Sequence, residues 1–344
     1  RARRTAREFP VNAAFDVGDS ARATLRAAAP MIVAGSGDGL VDLAAVGLLE
    51  ANHPVLYAAS LDGTELSPDA WWVVTDTNRK QGRHWSTIGS NLGALEASGP
   101  LVIDEDPGDQ QLDVFVDQTI GDQTIAVHRG AIADVRASYY GNKIAYTPED
   151  APWFALDGDP DTAWRAGVFD ETTGLVWEAD LRSPATTDTV TILQPTTGVV
   201  DRVITELRIT IDDDASVDVM LDERSRVAPG QEIVVPAAGY SQLRLEVRAD
   251  NLGRLSSYAG RPGIGLAEVS IPGVSDDRIV RVPINVDATA DQRLTYLFTR
   301  QRIDPATSNR SAPEPTLQRE FELQSDRTFE LSGQVRLSAQ ADDT

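Results

Sequence analysis

Apolar residues recur along the chain in two distinct textures that change near residue 110. Before that point, continuous apolar runs alternate with stretches of helical period. "MIVAGSGDGLVDLAAVGLLEAN" (31–52) predicts a strand, a glycine turn and a helix, with Leu40, Leu43, Ala44, Gly47 and Leu48 at helical spacing. "HPVLYAASL", "WWVVTDT" and "LVIDED" follow as further buried strands ending in polar or acidic residues. Uninterrupted apolar strands separated by helical segments predict a small α/β unit with a parallel or mixed sheet, over residues 1–110.

Beyond residue 110 the helical period disappears. "QLRLEVR" (242–248) alternates strictly, with Leu243, Leu245 and Val247 on one face and Gln242, Arg244, Glu246 and Arg248 on the other. "DTVTIL", "VITELRITI", "SVDVM", "EIVVP" and "GLAEVSIPG" are short strands bounded by Asp, Gly or Pro. This spacing predicts an antiparallel sandwich over 111–274. After "PGVSDD", the strands "RIVRVPINV", "RLTYLFTRQ", "LQREFEL" and "TFELSGQVRL" read as an accessory or incomplete β unit over 275–344.

Composition narrows the partners. The 344 residues are long enough for two or three domains with their own cores. A formal net charge of -22 repels nucleic acid and anionic lipid. No run of about 18 apolar residues is present to span a bilayer. There is no cysteine, hence no disulfide and no thiolate metal site. The chain opens on "RARRTAREFP", without an initiator methionine or a signal-peptide pattern, as expected of a piece cut from a longer protein just after a membrane segment. Only Lys80 and Lys143 among its 31 basic residues are lysines, which fits nucleotide-composition bias better than a binding feature.

One stretch concentrates chemistry. "ALDGDPDTAWRAG" (155–167) packs Asp157, Asp159 and Asp161 ahead of Trp164. It fits a catalytic acid cluster, a solvated turn capped by its own side chains, or a loop folded around a cation. Catalysis is the weakest of the three, because a glycosidase needs two carboxyls facing each other across a cleft. "ALDGDPDTAW", then "GLVWEADL" (174–181) and "GLAEVSI" (265–271), resembles the discoidin, or coagulation factor 5/8 type C, domain, over about residues 128–274. That family is widely used as a carbohydrate-binding module on a jelly-roll sandwich. The resemblance implies a structural Ca²⁺ held by the Asp157 carboxylate, the Asp159 main-chain oxygen, the Thr162 carbonyl and hydroxyl, and Glu268. It also makes Trp164 and Trp177 core residues instead of sugar platforms.

A wider resemblance covers most of the chain. "DGLVDLAAVGLLEANHPVLYAASL", "WWVVTDTNRKQGRHW", "YYGNKIAYTPEDAPWFALDGDPDTAWRAG" and "REFELQSDRTFELSGQVRL" together look like the soluble region of an actinobacterial cell-wall arabinofuranosyltransferase. Such enzymes are polytopic, use a polyprenyl-phosphate arabinose donor and carry discoidin-like modules on the outer face of the membrane. The resemblance implies a non-catalytic, extracytoplasmic region in the cell envelope. Its partners are then arabinan-type glycan and the membrane-embedded portion of the same protein.

Candidate sugar contacts are sought among loop rings, which stack on sugar faces when exposed and otherwise anchor their loop or face a neighbouring domain. Tyr258 with Arg254 and Arg261 in "NLGRLSSYAGRPG", and Tyr140 and Asn142 in the loop that also holds Tyr139 and Tyr146, are the candidates. Asp76, Asn78, Arg79 and His84 leave a predicted sheet strand, where α/β proteins place ligands; they are candidates for a ligand or an interface, against a plain solvated loop. "GSGDG" (35–39) has Leu40 in the third glycine's place of a dinucleotide loop, so a tight strand-to-helix turn explains it better. His53, His84 and His128 lack zinc-ligand spacing.

Overall fold

The computed structural model describes residues 29–35, 37–49, 54–61, 68–77, 97, 123–141, 150–167, 171–195, 202–252, 263–283, 292–298, 319–323 and 326–333. Among these, a parallel sheet and an antiparallel sandwich are joined by a small third sheet.

The parallel sheet contains β1 (Met31–Ala34), β2 (Val55–Tyr57) and β3 (Trp71–Thr75), with helix α1 (Gly37–Ala45) after β1. β1 pairs in parallel with both β2 and β3. It is buried on both faces, which is why it reads as an unbroken apolar run. Met31, Val33, Trp71 and Val73 pack under Leu43 of α1, while Ile32, Ala34 and Val74 form the core of the opposite face.

The sandwich runs through β5 (Ile132–Ala137), β6 (Trp164–Ala166), β7 (Val176–Leu181), β8 (Thr189–Leu193), β9 (Ile204–Ile211), β10 (Ala215–Met220), β11 (Gln231–Val234), β12 (Gln242–Asp250), β13 (Ile264–Leu266) and β14 (Glu268–Ser270). One sheet has the antiparallel order β10-β9-β12-β7-β5, and a second has the order β11-β8-β14. β6 and β13 form a separate antiparallel pair. Leu243, Leu245 and Val247 of β12 are buried in one core with Trp164 and Trp177, so the alternation in the sequence maps onto the two faces of this sheet. On the outward face, Arg136 bridges Asp134, Glu178 and Asp180 across β5 and β7.

The expected accessory unit over 275–344 does not stand by itself; its strands are shared out. β16 (Arg293–Leu297) joins the parallel sheet beside β3, giving the order β16-β3-β1-β2. Trp71 Nε1 donates to Thr295 Oγ1 (2.8 Å), Trp72 Nε1 donates to Gln292 Oε1 (2.7 Å), and the Arg293 guanidinium lies 3.8 Å from the Trp71 ring centre. The physical reason is that β3 would otherwise present an unpaired edge. β15 (Arg278–Arg281) pairs antiparallel with β4 (Ile125–His128) and parallel with β17 (Arg319–Glu320). Three residues separate the end of β4 from the start of β5, so this small sheet leads directly into the sandwich.

Trp177 is fully buried and its Nε1 donates to the Pro152 carbonyl at 2.8 Å. Trp177→Ala removes both the ring and that bond, and is expected to cost about 3–5 kcal/mol by chemical denaturation.

Candidate functional site

The acidic turn lies at the rim of the sandwich, between a short 3₁₀ turn over Pro152–Ala155 and β6. Its position is set from both sides. The 3₁₀ turn buries Trp153 and Phe154, and β6 sends Trp164 into the core, where its Nε1 donates to the Tyr139 carbonyl at 3.0 Å. Pairing of Trp164 with Leu266 in the β6–β13 ladder then brings Glu268, two residues further on, back to the turn. Glu268 Oε1 accepts the Gly158 amide at 2.7 Å, a contact spanning 110 residues of sequence. Gly158 has φ +78°, a conformation that favours glycine and lets its amide face the carboxylate.

Oxygens crowd together inside the turn. Asp157 Oδ1 accepts the Asp159 amide at 3.0 Å, and Asp159 Oδ1 accepts the Asp161 amide at 3.0 Å. Around the Thr162 hydroxyl stand Asp157 Oδ2 at 2.8 Å, the Asp159 carbonyl at 2.9 Å and the Phe154 carbonyl at 3.5 Å. A hydroxyl has one proton to donate, so it cannot serve three acceptors. The Thr162 amide also donates to the Asp159 carbonyl at 3.1 Å, so the hydroxyl is left to choose between Asp157 Oδ2 and the Phe154 carbonyl.

Burial pushes the Asp157 carboxyl up to about 6, against the lowering effect of the Asp159 amide and the Thr162 hydroxyl, with repulsion from Asp159 adding to the rise. Burial pushes Glu268 up to about 7, opposed by the Gly158 amide and reinforced by repulsion from Asp157 and Asp159. Among the described residues no basic side chain pairs with either carboxylate. Half-buried like charges without a counter-charge fit a hard cation, and carboxylate, carbonyl and hydroxyl oxygens are the donors Ca²⁺ takes. Among the described residues no three acidic or histidine side chains converge on one point, so main-chain oxygens must complete any such shell.

The other candidates are distributed differently. Tyr140, expected on an exposed loop, is 1% exposed and belongs to the sandwich core. That corrects its reading as a sugar platform: the aromatic ring is worth more buried than exposed. Tyr139 is partly buried against the same core. Asn142, Arg254, Tyr258 and Arg261 lie outside the described residues, as do Asn78, Arg79 and His84. Asp76 is fully buried and pairs with Arg319 Nε at 2.7 Å.

The "GSGDG" glycines have a packing cause. A Cβ on Gly35 would stand 1.9 Å from Thr75 Oγ1, and one on Gly39 2.9 Å from the same atom. The loop is pressed onto the end of β3, which accounts for Gly35 and Gly39.

Two buried polar clusters escaped the sequence reading. Arg202 joins Asp250 Oδ2 at 2.8 Å, the Gly167 carbonyl at 3.0 Å and Thr172 Oγ1 at 3.4 Å, tying three strand connections together. His128 Nδ1 meets Asp276 Oδ2 at 2.5 Å, while Asp276 Oδ1 accepts the Gly130 amide at 2.7 Å. The partners are 48 and 148 residues apart, so no local pattern marks them.

No protein-family model and no curated protein matches the sequence. Among solved structures, the fold is similar to part of the arabinofuranosyltransferase AftD from Mycobacteria. A mutant form aligns at TM-score 0.54 and 19% identity, over 74% of this chain and 20% of that chain. Another AftD structure aligns at TM-score 0.51 and 18% identity, over 74% and 19%. A pectin binding carbohydrate binding module aligns over 48% of this chain and 99% of its own, at TM-score 0.29 and 14% identity. The chain spans about a fifth of the AftD structures it matches. The resemblance read from the sequence thus recurs in the fold. No helix among the described residues is long and apolar enough to cross a membrane.

The raised carboxyls set a pH dependence for cation-free protein. An acid whose pKa is higher folded than unfolded contributes stability that is full below the unfolded pKa and lost as pH rises through the folded value. Without a cation, the melting temperature should therefore fall as pH rises from about 4 through 7. Asp157→Asn should flatten this slope, as read by differential scanning calorimetry.

Proposed function

We propose that this chain is a glycan-binding region of a cell-wall arabinofuranosyltransferase, holding acceptor glycan near a catalytic part outside the chain. The observation that carries this reading is the composite fold, a parallel α/β sheet joined to a sandwich, which aligns with AftD over 74% of the chain. In this reading the region lies on the outer face of the membrane, in the cell envelope. A tethered module needs little affinity of its own, because the tether already supplies a high local concentration of acceptor. Dissociation constants of roughly 10 μM to 1 mM, or about 4–7 kcal/mol, are expected for arabinan-type fragments.

The rim turn would hold Ca²⁺ through the Asp157 and Glu268 carboxylates, the Asp159 main-chain oxygen, and the Thr162 carbonyl and hydroxyl. The ion would relieve the repulsion between Asp157 and Glu268 and cross-link the turn to β14, stabilising the rim without entering any reaction. Sugar contact is assigned to Tyr258, Arg254 and Arg261, with Asn142 next. Tyr258 offers a ring to a sugar face, and the arginines offer donors to its hydroxyls. A bracing module that binds no sugar is the second reading, and the burial of Tyr140 and Asp76 favours it.

One measurement tests the ion and a second separates glycan binding from the brace. Removing Ca²⁺ with chelator should lower the melting temperature, and Asp157→Ala or Glu268→Ala should abolish that response, since a bound ion stabilises the folded state alone. Identical melting in chelator and in excess Ca²⁺ would remove the ion from the account. In NMR titration with arabinan fragments, Tyr258→Ala should weaken binding by about tenfold, or about 1.4 kcal/mol, with the sandwich still folded. No spectral change at millimolar arabinan would favour the brace.

A further inference from the structure

In an open parallel sheet, ligands enter beyond the carboxyl ends of the strands, where successive connections leave in opposite directions. The order β16-β3-β1-β2 puts that point between β1 and β3. The chain's own side chains occupy it. Thr75 Oγ1 lies 3.3 Å from the Ala34 carbonyl and 2.7 Å from Thr77 Oγ1, filling the space beside Gly35. Next to them the Asp76 side chain, 0% exposed, meets that of Arg319, 2% exposed, at 2.7 Å.

Arg319 does not belong to the parallel sheet. It sits on β17, which pairs with β15, which pairs with β4, the strand that leads into the sandwich. We propose that Asp76–Arg319 is a clasp formed in cis. The C-terminal segment fills the place where an α/β sheet ordinarily takes a ligand, and so fixes that sheet to the sandwich through the small bridging sheet.

Three observations support the clasp. The same C-terminal part of the chain holds the sheet at a second point, through β16 and the Trp71 and Trp72 hydrogen bonds. The two holds are tied to each other: Tyr296 of β16 stacks on Phe321 at 4.6 Å, and Arg327 Nη1 donates to the Gln292 carbonyl at 2.8 Å. On the sandwich side the bridging sheet is anchored by Asp276, which joins His128 to the Gly130 amide. A buried ion pair is a poor device for stability alone, since apolar residues of similar volume do as well. Pulling the two partners apart gives up their attraction at a place that water does not reach. That penalty falls on separation of the two halves, so the pair acts on orientation. The clasp stands independently of the glycan reading.

Hydrogen exchange on the full chain tests it. In the unaltered protein, amides of β1 and β3 should open together with those of β9 and β12. Asp76→Asn and Arg319→Gln should each speed exchange in Met31–Ala34 and Trp71–Thr75 by about tenfold or more, leaving β9 and β12 unchanged. The double substitution should be no worse than the more damaging single one. If a single variant leaves the α/β sheet wholly open beside an intact sandwich, the clasp is supported in its strongest form. Unchanged exchange in β1 and β3, acceleration in step with β9 and β12, or single effects that add in the double variant would each overturn it.

Discussion

The site at the sandwich rim depends on one pairing, the short ladder between β6 and β13 in which Trp164 lies opposite Leu266. Gly158 to Asp161 are exposed while Ala163 and Trp164 are buried, so the chain has to pass from solvent into the core within a few residues. The same ladder delivers Glu268 from far along the sequence. Burial of a large ring is worth far more than any contact within the turn. The ring therefore dictates where the acids sit, and the acids accept burial and mutual repulsion as a result. Their raised carboxyls are a consequence of that packing.

Legibility followed the range of the interaction. The alternation in β12 and the unbroken apolar run of β1 depend on side-chain period alone, and both match the observed burial. The turn Asp157–Thr162 could be read because its acids, glycine and threonine are neighbours in the chain. Other features had no local signature. β16 looks like an ordinary exposed strand until its partner β3 is known, and the Arg319 that meets Asp76 lies 243 residues away. Tyr140 misled for a related reason. A tyrosine beside Gly141 and Asn142 reads as a loop ring, while the depth of the neighbouring core decides that it turns inward.

The polar groups of this fold fall into two populations with different physical tasks. On the outer face of the five-stranded sheet, Arg136 with Asp134 and Asp180 and Arg208 with Asp218 form solvated pairs, which contribute little to stability, while Glu178 beside Arg136 is largely covered. Arg202–Asp250, His128–Asp276 and Arg319–Asp76 are buried and join parts of the chain far apart in sequence. Pairs of the second kind carry a desolvation cost whenever they form, so they select one arrangement of the connections over its neighbours.

β16 completes a parallel sheet whose other strands lie near the beginning of the chain, with the whole sandwich threaded between them. Trp72 and Gln292 bond across 220 residues of sequence. The sandwich is thus an insertion in the α/β unit, and the order of synthesis becomes part of the folding problem. As the chain emerges, β1, β2 and β3 can meet early, but β3 keeps one bare edge until the sandwich has been made and β16 arrives. Such late, long-range closure is slow, and it leaves an apolar strand edge open to wrong partners in the meantime. Folding of the antiparallel insert ends that interval by drawing its own two ends, and with them β3 and β16, into proximity.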